Sequence, residues 1–234
     1  MYGHDIDSDL TGMPALAGLP ASELAGLSLR LARRSFMRGT TIIGPGIPNE
    51  CHFIRSGLVA ILFGAPGDEQ IGVSLLGFGG FLGIAPLLES REVAHSAIAL
   101  SACETFCVSP GDLRQACEAK GELKVRLLQY TYLRTADAMQ SAFCHLQHSL
   151  ERRLASWILT ASDLLQDTTI RITHRRLSTL LGVRRPTMTI GLQNLEASRA
   201  IRSERTTILI RDRAALRQIA CNCYVARQRL RQLH

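Results

Sequence analysis

Four side chains within six residues, Arg184, Arg185, Thr187 and Thr189, have the chemistry to read nucleic-acid bases. An arginine can donate two parallel hydrogen bonds to one guanine, and a threonine can bond a base edge or pack its methyl against that of thymine. To act together they must project from one rigid surface, and residues 172–201, ITHRRLSTLLGVRRPTMTIGLQNLEASRAI, supply it. Thr173 is a good N-cap for a helix carrying Leu177, Leu180 and Leu181, and Gly182-Val183 stops that helix. A second helix follows, with Met188, Leu192 and Leu195 at helical spacing and Pro186 tolerated in its first turn. Two short helices around a glycine turn predict a helix-turn-helix, whose second helix can enter the major groove. Downstream, residues 200–202 and 207–210 read as two short strands around Ser203-Glu204-Arg205-Thr206, and Asp212 caps a last helix. A hairpin after a helix-turn-helix makes a winged helix. Thr173 and Arg205 complete the candidate DNA-facing set.

The charge distribution points the same way. Residues 1–150 carry 11 Lys+Arg and 14 Asp+Glu, whereas residues 151–234 carry 16 Arg, no Lys and 6 Asp+Glu. A net +10 confined to the last third implies a polyanionic partner. Nucleic acid ranks ahead of a membrane surface because the arginines are dispersed through apolar-periodic segments. The apolar fraction of 46% over 234 residues excludes a disordered chain and is enough for one or two globular domains. The acidic start, MYGHDIDSDL, has no apolar stretch behind it and predicts a cytoplasmic protein without an export signal. The uncharged run 71–88 has the length of a membrane span, but five glycines and Pro86 suit turns between short strands better. No membrane partner is expected.

The elements upstream of the basic third differ in texture. Leu24, Leu27 and Leu31 suggest a short helical entry. Short apolar runs at 40–43, 51–54, 58–63, 71–76 and 97–108, separated by Gly/Pro turns, predict an antiparallel sandwich or barrel. A short helix opening at 110–113 is interrupted by Gly121, and a long one runs from about Glu122 to Gln147. In it Val125, Leu128, Tyr132, Thr135, Met139, Ala142 and Leu146 follow a 3-4-3-4-3-4 spacing, the seam of a coiled coil, which makes it a candidate dimer helix. Such a stripe could also face the core of a monomer. A second amphipathic helix begins near Leu150, with Leu154, Ile158, Ala161 and Leu165 on one face. The expected parts are therefore 1–121, a β domain with flanking helices; 122–149, a dimerisation helix and hinge; and 150–234, a winged helix-turn-helix.

The runs ERRLASWIL at 151–159, LSTLLGVRRPTMT at 177–189 and RDRAAL at 211–216 resemble the Crp/Fnr family of bacterial transcription regulators. Less sharply, so do Ile54–Val59, Pro66-Gly67-Asp68 and residues 79–83. The resemblance implies an α+β fold: an N-terminal antiparallel, jelly-roll-like β-roll, a long central dimerisation helix and a C-terminal winged helix-turn-helix. It also implies a homodimer on a palindromic double-stranded operator, with RNA polymerase as a further partner. Arg185 falls on the family's leading recognition-helix arginine. Pro186 stands where a glutamate is usual, and Ile190 where a second arginine can stand, so the half-site sequence does not carry over. An alternative is a β-roll protein whose basic helical domain contacts protein or RNA.

The effector site departs further. Family members that bind cyclic nucleotides hold the ribose with a glutamate after a glycine turn and the phosphate with an arginine about ten residues later. Here Gly83 is followed by Ile84, and His95-Ser96-Ala97 occupies the later position. Each missing charge-assisted contact is worth about 1.5–3 kcal/mol, which argues against cAMP. Gly83, Ile84, Arg91, His95 and Ser96 remain the candidate pocket for an unknown small effector, with Arg91 able to substitute by a loop shift; a β domain that is mainly a dimer scaffold explains the residues equally well. The seven cysteines predict reduced thiols. Cys103-x3-Cys107 and Cys221-x-Cys223 lack zinc or cluster spacings, so no metal or cofactor is expected from them. His145 and His148, three apart, could share a ligand, but the solvated helix end is the favoured reading. No enzyme motif is present.

Overall fold

The computed structural model describes residues 9–64, 70–88 and 92–232. The chain packs into two compact units, Met1–Val59 with Leu76–Thr135, and Ala60–Leu75 with Ala136–Leu233.

In the first unit, helix α1 (Ala21–Ser28) buries Leu24 and Leu27 and ends before Leu31. Strands β1 (Ala32–Phe36), β3 (Cys51–Ser56), β6 (Phe81–Leu82) and β8 (Cys103–Val108) form an antiparallel sheet in the order β1-β8-β3-β6. β2 (Thr41–Ile43) pairs antiparallel with β7 (Ser96–Ala99). The apolar run 97–108 is thus two strands, because Leu100 to Ala102 turn the chain between β7 and β8. β1 and β6 are additions to the sequence reading. β1 has the sequence ARRSF with four exposed residues, so it lacks the alternation that marks a half-buried strand. Inside, Phe53 and Phe106 are fully buried, and the Phe53 ring lies 4.8 Å from that of Phe81.

Helix α2 (Pro110–Lys120) starts at the N-cap Ser109, whose hydroxyl accepts from Asp112 N at 3.0 Å. Gly121, at φ 84°, separates it from α3 (Glu122–Gln147). The α3 face carrying Leu123, Leu127 and Tyr130 is buried in the β-roll's apolar cluster, where the Tyr130 hydroxyl accepts from Phe81 N at 3.1 Å. Its seven seam residues, Val125 to Leu146, are all exposed, Tyr132 by 74% and Leu146 by 83%. The stripe therefore does not cover the core of its own chain. The exposed Phe143 extends it, a residue the 3-4 spacing omits.

The second unit contains β4 (Val59–Gly64) from Ala60 on, β5 (Gln70–Leu76) up to Leu75, and α4 (Leu150–Leu165). The run 71–88 forms β5, β6 and a 3-10 turn (Ala85–Leu88); among the described residues no helix is long and apolar enough to cross a membrane. α4 is not the one-faced helix its leucines suggest. Nine consecutive residues, Leu154 to Ser162, are buried, which places it at the centre of its unit. The polar ones can be buried because each has a partner. The Ser156 hydroxyl accepts from Cys221 N at 3.2 Å, Ser162 donates to Asp167 O at 2.7 Å, and Thr160 accepts from Arg231 Nη2 at 3.4 Å. Around α4 lie α5 (His174–Leu181), α6 (Arg185–Ala197) and a sheet of order β10-β11-β9 (Ile201–Glu204, Thr207–Ile210, Thr169–Arg171). Then come α7 (Arg213–Ile219), capped by Asp212, and α8 (Cys223–Gln232), a helix beyond the one the sequence reading places last.

Candidate nucleic-acid interface

Local chemistry builds this site in order. The Thr173 hydroxyl accepts from Arg176 N at 3.2 Å and opens α5, which buries Leu177, Leu180 and Leu181. Gly182 closes it in the left-handed region at φ 62°, where a Cβ would also lie 2.6 Å from the Ile71 side chain. Arg184 is the N-cap of α6 and Pro186 sits in its first turn, where a proline costs no hydrogen bond. Met188, Leu192 and Leu195 anchor α6 in the core. Gly191 lets it approach α4, since a Cβ there would stand 3.1 Å from Leu150 Cδ2.

Burying that stripe turns the other face of α6 outward. Arg184, Arg185 and Thr187 are exposed, and Thr189 is half-buried with its hydroxyl donating to Arg185 O at 3.1 Å. That bond leaves the Thr189 methyl and the two lone pairs of its hydroxyl oxygen for a partner. Ile190 is 55% exposed on the same helix, an apolar group that sequence reasoning notes only as a departure. Arg205 stands exposed at the turn between β10 and β11. The wing is tied to the helices: Glu196 Oε1 accepts from Ser203 N at 3.0 Å, and Ser203 Oγ lies 3.3 Å from His174 Nε2. The third strand, β9, pairs with β11 from Thr169 to Arg171 and completes a sheet of which only two strands are legible in sequence.

The effector candidates are disposed differently. Gly83 is buried and its carbonyl accepts from Cys51 Sγ at 3.2 Å. Ile84 packs against the β-roll's apolar cluster. Ser96 is buried on β7, and burial lowers the pKa of His95. Arg91 and Pro66-Gly67-Asp68 lie outside the described residues. All seven cysteines are buried. Desolvation pushes Cys51 up to about 12 and Cys117 up to about 11, and it raises Cys103 and Cys107, so these thiols stay protonated and inert. His145 and His148 meet different partners. Arg153 Nη1 donates to His145 Nδ1 at 2.8 Å, whereas His148 Nδ1 lies 3.5 Å from Cys223 Sγ.

The two halves define a class: a cyclic-nucleotide-binding-type β-roll joined by a long helix to a winged helix-turn-helix. Residues 33–120 match the cyclic nucleotide-binding domain family and residues 152–219 the Crp-like helix-turn-helix domain family, together two thirds of the chain. The chain belongs to the Crp/Fnr family of DNA-binding transcription regulators. No curated protein sequence matches it. Among solved structures it is similar in fold to the c-di-GMP-responsive global regulator CLP of Xanthomonas campestris (18% identity over 82% of this chain and 99% of that one, TM-score 0.69). FixK2 of Bradyrhizobium japonicum matches at 16% identity, 82% and 98% coverage and TM-score 0.70. A Crp/Fnr-family transcriptional regulator from Thermus thermophilus matches at 21%, 81% and 98%, and TM-score 0.66.

Proposed function

We propose that the protein is a cytoplasmic homodimer that binds a palindromic operator with α6 in the major groove of each half-site. The observation that carries this reading is the exposed head of α6, where two arginines and a threonine stand clear of the core that Met188, Leu192 and Leu195 anchor. Arg185 reads a guanine, Thr187 and Thr189 contact base edges or a thymine methyl, and Ile190 packs against a thymine methyl. Arg184, Arg205 and the start of α5 at Thr173 hold phosphates and set the register. The exposed stripe on α3, Val125 to Leu146 with Phe143, pairs with its copy and sets the half-site spacing. In functional terms 1–121 is the β-roll domain, 122–149 the dimer helix and hinge, and 150–234 the DNA-binding domain, with RNA polymerase the partner met at a promoter.

The effector is not a cyclic nucleotide, because Ile84 packs into the apolar cluster where the ribose would need a carboxylate. The test is selection of bound duplexes from a random pool by the ligand-free protein at fixed salt, since non-specific binding is steeply salt-dependent. Enrichment of a palindrome with half-sites about 10 base pairs apart supports the reading. Selection of RNA or of no sequence at all overturns it.

A further inference from the structure

Three cysteines and one histidine, far apart in sequence, converge in the second unit. Cys144 lies in the last turn of α3, His148 in the break before α4, and Cys221 and Cys223 flank Asn222 where α7 gives way to α8. Cys144 Sγ is 3.4 Å from Cys221 Sγ across 77 residues of chain, and Cys223 Sγ is 3.5 Å from His148 Nδ1. All four potential ligand atoms lie within 4.8 Å of one another. The 3.4 and 3.5 Å separations are close to the edges of a coordination tetrahedron, since bonds of about 2.3 Å to sulfur and about 2.0 Å to nitrogen place the ligand atoms about 3.5–3.8 Å apart, and the 4.8 Å bound leaves at most about 1 Å for the ion to draw in. A disulfide requires sulfurs about 2.05 Å apart, closer than Cys144 and Cys221 stand, and it leaves no role for a third thiol and an imidazole.

We propose that Cys144, His148, Cys221 and Cys223 form a tetrahedral Cys3His site for a thiophilic divalent cation, zinc being the best match. Thiolates and imidazole select zinc over the hard cations that need oxygen ligands. Four protein ligands fill its coordination, so the ion is structural rather than catalytic. Loading exchanges up to three thiol protons for one divalent ion and leaves the site with one net negative charge. The surroundings suit that product. Arg153, whose buried Nε has no hydrogen-bond partner among the described residues, interacts electrostatically with Cys144 and Cys221, and Arg227 lines the same small cavity as Cys144 and Cys223. An outer shell is in place too: Gln140 Nε2 donates to Cys223 Sγ at 3.2 Å, and Ser156 Oγ lies 3.0 Å from Cys221 Sγ. The cavity gives the ion a way in. Once bound, the ion ties the end of α3 to the α7–α8 turn and closes a long loop, which restricts the unfolded chain as a cross-link does.

The experiment uses the full-length chain, reduced and freed of metal, titrated with zinc and with cobalt(II) as spectroscopic probe. The expected result is one ion per chain, thiolate-to-cobalt charge-transfer absorption with tetrahedral d–d bands, and protection of up to three thiols, those of Cys144, Cys221 and Cys223, from a thiol reagent on loading. Cys221→Ser with Cys223→Ser abolishes stoichiometric binding, His148→Ala weakens it by at least about tenfold, and Cys103→Ser in the β-roll leaves it intact. Should the double variant fail to fold, the wild-type chain still decides: zinc must raise its melting temperature, and above the dissociation constant go on raising it with the logarithm of free zinc. A thiol reactivity that zinc leaves unchanged, a cobalt spectrum without thiolate charge transfer, or a Cys144–Cys221 disulfide that takes up no metal after reduction overturns the proposal.

Discussion

The head of α6 and the Gly83-Ile84 pair lie at the two sites proposed above, one for DNA and one for an effector, and they differ in what they offer a partner. At α6 the residues suited to the task remain exposed on a helix fixed by Met188, Leu192 and Leu195. At Gly83 the carbonyl accepts from Cys51 Sγ, and the side chain that follows is a half-buried isoleucine packed against the apolar cluster. A fold survives such a change easily, since an apolar residue of roughly the right size satisfies a core. A ligand site does not, because its affinity rests on a few charges.

That contrast can be broken most forcefully from the side of the β-roll. Phe106→Ala removes a fully buried ring and is expected to cost about 3–5 kcal/mol, read as an earlier first transition in urea. If the winged helix melts with it, the two regions are not independent. Sharpening it from the other side, Arg185→Ala should cost about 1–3 kcal/mol at the selected operator and relax one base position in a binding titration; uniform loss on all duplexes would reduce Arg185 to a phosphate contact. The β-roll also carries a buried base, His52, beside Thr105 Oγ1 at 3.1 Å and held down to about 4 by desolvation. The unfolded chain, with its histidine near 6.5, binds the proton first, so stability falls as pH drops from about 6.5 towards 4, by on the order of 2 kcal/mol at pH 5. His52→Gln should flatten that part of the curve. Thr173→Ala removes the α5 cap at a cost of about 1 kcal/mol in thermal melts. Smallest of all, saturating cAMP should change operator affinity by less than about twofold, within the scatter of a titration; a tenfold gain would restore the turn as a cyclic-nucleotide site.

What was legible in sequence follows the same physics. α3, α5 and α6 announce themselves because 3-4 spacing, Thr173, Gly121 and Gly182 are local signals. β1 is hidden because its exposed arginines break the alternation, and α8 because its run of charge masks Cys223 and Tyr224, its buried residues. The all-round burial of α4 is masked by Ser156, Thr160 and Ser162, which read as polar until their partners are known. The cysteine–histidine cluster is the extreme case, since spacing rules look for neighbours and Cys144 meets Cys221 from 77 residues away.

The edge strand β1 has a colloidal consequence. β1 is the outer strand of its sheet, a position from which a strand can template another sheet, yet ARRSF leaves Arg33 and Arg34 exposed along it, Arg34 donating to Glu50 Oε1 at 2.8 Å. Charge on an outer strand repels a second copy approaching edge-on. Replacing those arginines with valines would leave the monomer's core untouched and turn the rim into a seed for fibres.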